Sequence, residues 1–145
     1  MNNRNKEGKD YVYQNYEKNL ELSAGANEKY RLLIRPKDCY HNIWRIVTSG
    51  QFNERYQIAY GYVQAFDHVY VLHCFLVDDH DRVIDPTLPD AGKDNYYILK
   101  RFTYQEYLQE VCRSRYPSLE NRKWMKQAVK SFTLWGMKNG IVAIS

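Results

Sequence analysis

The stretch from Val69 to Val77 constrains the fold more than any other part of the chain. It reads Val-Tyr-Val-Leu-His-Cys-Phe-Leu-Val, a run of β-branched, aliphatic and aromatic residues with no Gly, Pro or acidic break. A half-buried strand alternates apolar and polar positions. Here both alternating sets are apolar, so both faces need cover, and the segment belongs in the middle of a sheet. Its one exception is His73, a titratable side chain alone among apolar neighbours. The run from Tyr56 to Gln64 has the same character. Ala65-Phe66-Asp67 is a short link between the two, so the pair reads as an antiparallel hairpin. Asp78-Asp79-His80-Asp81 is a turn, and Arg82-Val83-Ile84-Asp85 is a third short strand stopped by Pro86. Residues 86–95 form a loop of Pro, Asp, Gly and Asn, and Tyr96 to Phe102 is a fourth strand.

Helical signals flank these strands. Pro36 ends whatever precedes it, because the residue before a proline is pushed out of helical geometry. Asp38 is a good N-cap, and Cys39 to Thr48 contains neither Gly nor Pro. Within it Cys39, Ile43, Ile46 and Val47 fall on one helical face, and Ser49-Gly50 is a stop. Downstream, Thr103-Tyr104-Gln105-Glu106 has capping-box spacing and opens a helix to about Ser114. Pro117-Ser118 then leads into a helix from Leu119 to Lys138, ended by Asn139-Gly140. Its apolar stripe is Met125, Val129, Phe132 and Trp135, with Lys123, Lys126 and Lys130 on the opposite side. Ile141 to Ile144 suits an added edge strand. Residues 1–10 read as a frayed tail, and Ser23-Ala24-Gly25-Ala26-Asn27 reads as a loop. A helix, then antiparallel strands, then helices defines the α+β class. The 145 residues fit one domain, 1–145, with a core at 37–102 and a helical C-terminal part at 103–140.

Composition narrows the function classes. Hydrophobic residues at 44% and aromatic residues at 15% argue against wide disorder. No apolar run approaches membrane-spanning length, so no membrane partner is expected. The first residues lack the apolar region of a secretory signal. Three cysteines, an odd number, argue against a disulfide framework and for a reducing, cytoplasmic setting. Without a CxxC or CxxH pair no structural zinc is expected, and no motif calls for a cofactor. Asp78-Asp79-His80-Asp81 lacks the Gly and terminal Glu of a calcium loop and reads as a solvated turn. Gly61 and Gly92 match no phosphate-binding loop. The net charge of +4 is uneven, because residues 113–145 hold seven Lys and Arg against one Glu. That basic segment is either a solvated helix face or a site for an anionic partner.

Three side chains remain as candidates for chemistry. Cys39 opens a helix, where the macrodipole and free N–H groups favour a thiolate. His73 lies in the central strand, and Asp85 closes the next one. With those strands paired across a four-residue turn, Asp85 can accept the imidazole N–H and set its tautomer. A helix packed on that sheet can bring its first-turn thiol to the other ring nitrogen, which is the nucleophile, base and orienter arrangement of covalent catalysis. Each residue alone has an ordinary explanation: a packed cysteine, a hydrogen-bonded core histidine, a turn-starting aspartate. Their joint order is the signal. Cys74 alternates with His73 and faces the other side of the sheet, and His41 points away from the Cys39 face.

The stretch Cys39-Tyr40-His41-Asn42, Tyr60-Gly61-Tyr62-Val63, His73 to Asp78 and Arg82-Val83-Ile84-Asp85-Pro86-Thr87 resembles the transglutaminase-like branch of the papain-like cysteine hydrolases. It looks like the small single-domain members found in bacteria and their phages, over about residues 37–102. The resemblance implies a helix bearing the cysteine packed on an antiparallel sheet. It also implies Cys39 as nucleophile, His73 as general base and acid, and Asp85 as orienter. Where the family carries His-Ala-Trp around the base, this chain has His73-Cys74-Phe75. No clear upstream Gln or Asn marks an oxyanion donor; the Cys39 backbone N–H and a neighbour are candidates, and the role is unassigned.

The expected function is cysteine-dependent acyl transfer on a protein, a peptide, or a small amide or ester. Peptidase, isopeptidase, deamidase and transglutaminase outcomes share this machinery. The alternative is a non-catalytic binding or inhibitor protein on the same fold, acting through its 14 tyrosines or its basic C-terminal helix. A third reading is nucleic-acid binding by residues 113–138, with Tyr116 and Trp124 among the basic side chains.

Overall fold

The computed structural model of the protein describes residues 13–90 and 95–145. The expected tail at 1–10 and Gly92 lie outside the described residues. The elements are β1 (Asn15–Tyr16), α1 (Leu20–Lys29), a 3-10 turn (Arg31–Leu33), α2 (Cys39–Val47), β2 (Gln57–Phe66), β3 (Val69–Val77), β4 (Val83–Ile84), β5 (Tyr96–Phe102), α3 (Tyr104–Ser114), α4 (Lys123–Lys138) and β6 (Val142–Ile144). The class is α+β. The strands join in the order β1-β5-β2-β3-β4, with β6 added in parallel to β3.

The all-apolar strand lies inside the sheet. β3 pairs along its length with β2, including Tyr60 with Cys74 and Gly61 with His73. On its other edge β4 takes Leu76 and Val77, and β6 takes Val69 to Val71. The intervening part of that edge, which carries His73, has no strand partner there among the described residues.

Alternation along β2 and β3 sorts the core onto two faces. Ile58, Tyr60, Cys74 and Leu76 pack with Ile43 and Val47 of α2 and with Tyr107 of α3. Farther along that face Tyr62 stacks on Phe132 of α4 with ring centroids 4.4 Å apart. Ala59, Val63, Phe75, Val77 and Tyr96 form the opposite cluster. The apolar stripes of α2 and α4 thus cover one face, as their spacing requires.

Several local expectations need correction. Residues 23–27 are not a loop; they lie inside α1. That helix is only weakly amphipathic, so its pattern hides it, and it is secured by Asn19 at the N-cap and by long-range bonds. Ser23 Oγ accepts from the Asp85 N–H at 2.9 Å, and Asn27 Nδ2 donates to the Pro86 carbonyl at 2.7 Å. Asp38 stands at the N-cap of α2, but its carboxylate makes no capping bond. It is drawn instead to His41 Nδ1 at 3.0 Å and Arg45 Nη2 at 2.9 Å. The final helix starts at Lys123, not Leu119. Leu119 has φ 55° and is fully buried, so the chain turns there to plug the core before α4 begins. β2 runs on through Ala65 to Phe66, and Asp67, at φ 46°, turns the hairpin. The third strand is confined to Val83 and Ile84, so Asp85 follows it. The capping box at Thr103 and Glu106 is complete in both directions.

Gly61, opposite His73, sits at a bulge where the β2–β5 register shifts. A Cβ there would stand 1.9 Å from the Tyr97 carbonyl oxygen. Only glycine allows this approach of two backbones. Gly61→Ala is therefore expected to lower stability by about 1–3 kcal/mol or more, through forced separation of β2 and β5. The change in urea midpoint measures this, and an unaltered midpoint contradicts it.

Candidate active site

Three elements bring the predicted residues together. β3 presents His73, the turn after β4 presents Asp85, and the first turn of α2 presents Cys39. His73 Nε2 donates to Asp85 Oδ2 at 2.8 Å. Asp85 is fully buried and His73 nearly so, so this pair is shielded from solvent. Cys39 is half-buried, and its side chain lies close enough to the His73 ring to act on its charge. Because Asp85 occupies Nε2, the nitrogen left for the thiol is Nδ1.

A buried carboxylate must be satisfied by donors, since its desolvation is costly. Asp85 has three. His73 and the Tyr96 hydroxyl, at 2.6 Å, share Oδ2, and the Leu88 N–H reaches Oδ1 at 3.1 Å. Tyr96 escapes the sequence reading because it comes from β5, which is not adjacent to β3 or β4 in the sheet. Its position at the start of a strand carries no signal of that contact. Asn42, Thr87 and Ser23 form the surrounding support, and their spacing along the chain carries no signal of it.

The electrostatics follow from this geometry. Burial disfavours a charged His73 ring, but the Asp85 charge and hydrogen bond, joined by the Cys39 side chain, outweigh it and raise the pKa to about 10. The carboxylate thus favours the protonated His73 ring, whose Nε2–H is directed at Asp85. Cys74, fully buried on the opposite face, is different. Burial and the neighbouring Cys39 charge push its thiol well above the ordinary range, which leaves it unreactive. Cys112 is exposed on α3.

The other motifs have structural partners. Asp78 Oδ1 accepts from the His80 and Arg82 N–H groups within its own turn. Burial works against an ionised Asp38, but the Arg45 and His41 bonds prevail and hold its carboxyl below the usual range. His41 is exposed on α2. In the basic segment, Trp124 Nε1 donates to Glu110 Oε1 at 2.8 Å and Arg122 pairs with the same carboxylate, so both are tied to α3. Lys123, Lys126 and Lys130 are exposed, as is Tyr116. A separate apolar cavity of about 260 Å³ lies between α1, Phe52 and Tyr56, and its walls include neither Cys39 nor His73. No helix among the described residues is long and apolar enough to cross a membrane.

No known protein family, curated protein or solved structure matches the chain.

The raised His73 pKa has a definite sign in stability. The ring binds its proton more tightly when folded, so its contribution is complete below about pH 6.5 and is lost as the pH rises toward about 10. The His73 ring resonances are expected not to titrate between about pH 5 and about pH 8. Asp85→Asn removes the opposing charge and lets burial dominate, which drops the midpoint below about 6.5. A wild-type midpoint near the ordinary histidine value overturns this assignment.

Proposed function

We propose that the protein is a cysteine-dependent acyl-transfer enzyme with a small papain-like or transglutaminase-like fold. The single observation that carries the reading is His73, held by the buried Asp85 on one ring nitrogen, with the Cys39 side chain beside the same ring. This is the arrangement of an activated nucleophile, its base and an orienter.

The steps balance on these groups. The Cys39 thiolate attacks the carbonyl carbon of an amide or ester, forming a C–S bond and moving the carbonyl electron pair onto oxygen. The oxyanion is met by backbone N–H groups at the start of α2. Asp38 leaves those donors uncapped because its carboxylate is held by His41 and Arg45. As the tetrahedral adduct collapses, His73 gives its proton to the leaving nitrogen or oxygen. The thioester is then resolved by water or an amine, whose proton His73 takes, and the thiolate is regenerated. Substrates of this chemistry are proteins, peptides, and small amides or esters.

Labelling with iodoacetamide tests the reading without a known substrate. At pH 7 Cys39 is expected to react at least about ten times faster than exposed Cys112, because a neighbouring histidine and a helix N-terminus make a thiol more nucleophilic. Cys74 is expected to remain unlabelled in the folded protein. Cys39→Ala should abolish turnover of any amide or ester the protein cleaves. Survival of biological activity in Cys39→Ala overturns the enzyme and leaves a binding role on the same fold.

A further inference from the structure

Asn42 lies one helical turn after Cys39 and is fully buried, although α2 otherwise buries the apolar Ile43, Ile46 and Val47. Burying an amide is unfavourable unless its hydrogen bonds are met. Here all four are. Asn42 Oδ1 accepts from the Arg35 N–H and from Arg45 Nη2, both at 2.8 Å. Its Nδ2 donates to the Arg35 carbonyl at 2.8 Å and to Thr87 Oγ1 at 3.0 Å. An asparagine amide has two donors and two principal acceptor directions, so this one is saturated.

The partners matter more than the count. The two Arg35 bonds hold the segment that enters α2 through Pro36. Arg45 also donates to the Leu33 carbonyl and to Asp38, which fixes the same approach. The remaining bond crosses to Thr87, two residues beyond Asp85. One side of the link is therefore three residues from the thiol, and the other is two residues from the carboxylate that orients His73. Covalent catalysis needs thiol and base held to within about half an ångström.

We propose that Asn42 is a positioning residue, which through its hydrogen bond to Thr87 clamps the nucleophile helix to the turn carrying Asp85. The inference rests on the catalytic reading of Cys39, His73 and Asp85. An apolar residue at position 42 would fill the same space without joining the two halves of the site.

Thr87→Val gives the cleanest test. It keeps the volume, removes the hydroxyl and leaves the Asn42 bonds to Arg35 and Arg45. Asn42→Ala unties all of them and serves only as a second variant if it folds. The measurement is the rate of iodoacetamide alkylation at Cys39 as a function of pH, with Cys112 as internal reference and a melting curve for each variant. Thr87→Val is expected to slow Cys39 by about three- to tenfold, the range of one hydrogen bond. Its pH profile should move toward that of Cys112, while the melting temperature changes by only a few degrees. The downfield ring N–H signal of His73 should persist, since Asp85 keeps its own donors. Thr87→Ser, which retains the hydroxyl, should recover the wild-type rate and profile. A Thr87→Val protein with wild-type rate and profile overturns the clamp while the catalytic reading stands. A wild-type Cys39 no faster than Cys112 overturns the catalytic reading, and the clamp with it.

Discussion

The buried Asp85 carboxylate is the constraint on which the rest of the structure depends. A fully buried charge survives only with donors in place, and here those donors come from separate parts of the chain: His73 on β3, Tyr96 on β5 and the Leu88 N–H in the following loop. The backbone N–H of the same residue is taken by Ser23 of α1. One residue thus ties a helix, two strands and a loop, and loss of any donor leaves part of a buried charge uncompensated. The pKa of His73 follows from this arrangement, because burial alone would lower it and the carboxylate reverses the sign.

The sheet explains much of the tyrosine content. Tyr60, Tyr62, Tyr96 and Tyr107 are fully buried, and each lies in a hydrophobic cluster rather than on an exposed face. The Tyr60 hydroxyl donates to the Pro117 carbonyl and that of Tyr62 meets Ser145. The Tyr60 and Tyr62 rings give the core volume while their hydroxyls reach polar groups at its margin, as large amphipathic side chains do. The aromatic count therefore weighs less for an interaction surface than composition suggests. Trp124 follows the same pattern, since its indole N–H is used inside the protein by Glu110.

Legibility in the sequence varied with the range of the forces involved. β5 and α3 have the bounds their patterns imply, because alternation and a capping box are local signals. α1 was invisible: its residues Ser23-Ala24-Gly25-Ala26-Asn27 have loop composition, and bonds to Asp85 and Pro86 hold them as helix. Asp38 shows the reverse. Its type suits a cap, but Arg45 and His41, in reach only once α2 has formed, compete successfully for the carboxylate. Pro117-Ser118 suggests a helix beginning at Leu119, and burial instead holds that residue in a left-handed turn.

The sequence by itself determined the α+β class, the central place of Val69–Val77, and the isolation of His73 among apolar neighbours. Those features rest on period and residue type, which act between near neighbours. It also named Cys39, His73 and Asp85 by their order along the chain. Only the tertiary structure decided their geometry: which ring nitrogen faces Asp85, that Tyr96 shares the carboxylate, and that Asn42 spans from α2 to Thr87. These contacts join residues far apart in the chain. They are set by how the sheet and helices pack, and no local pattern records that.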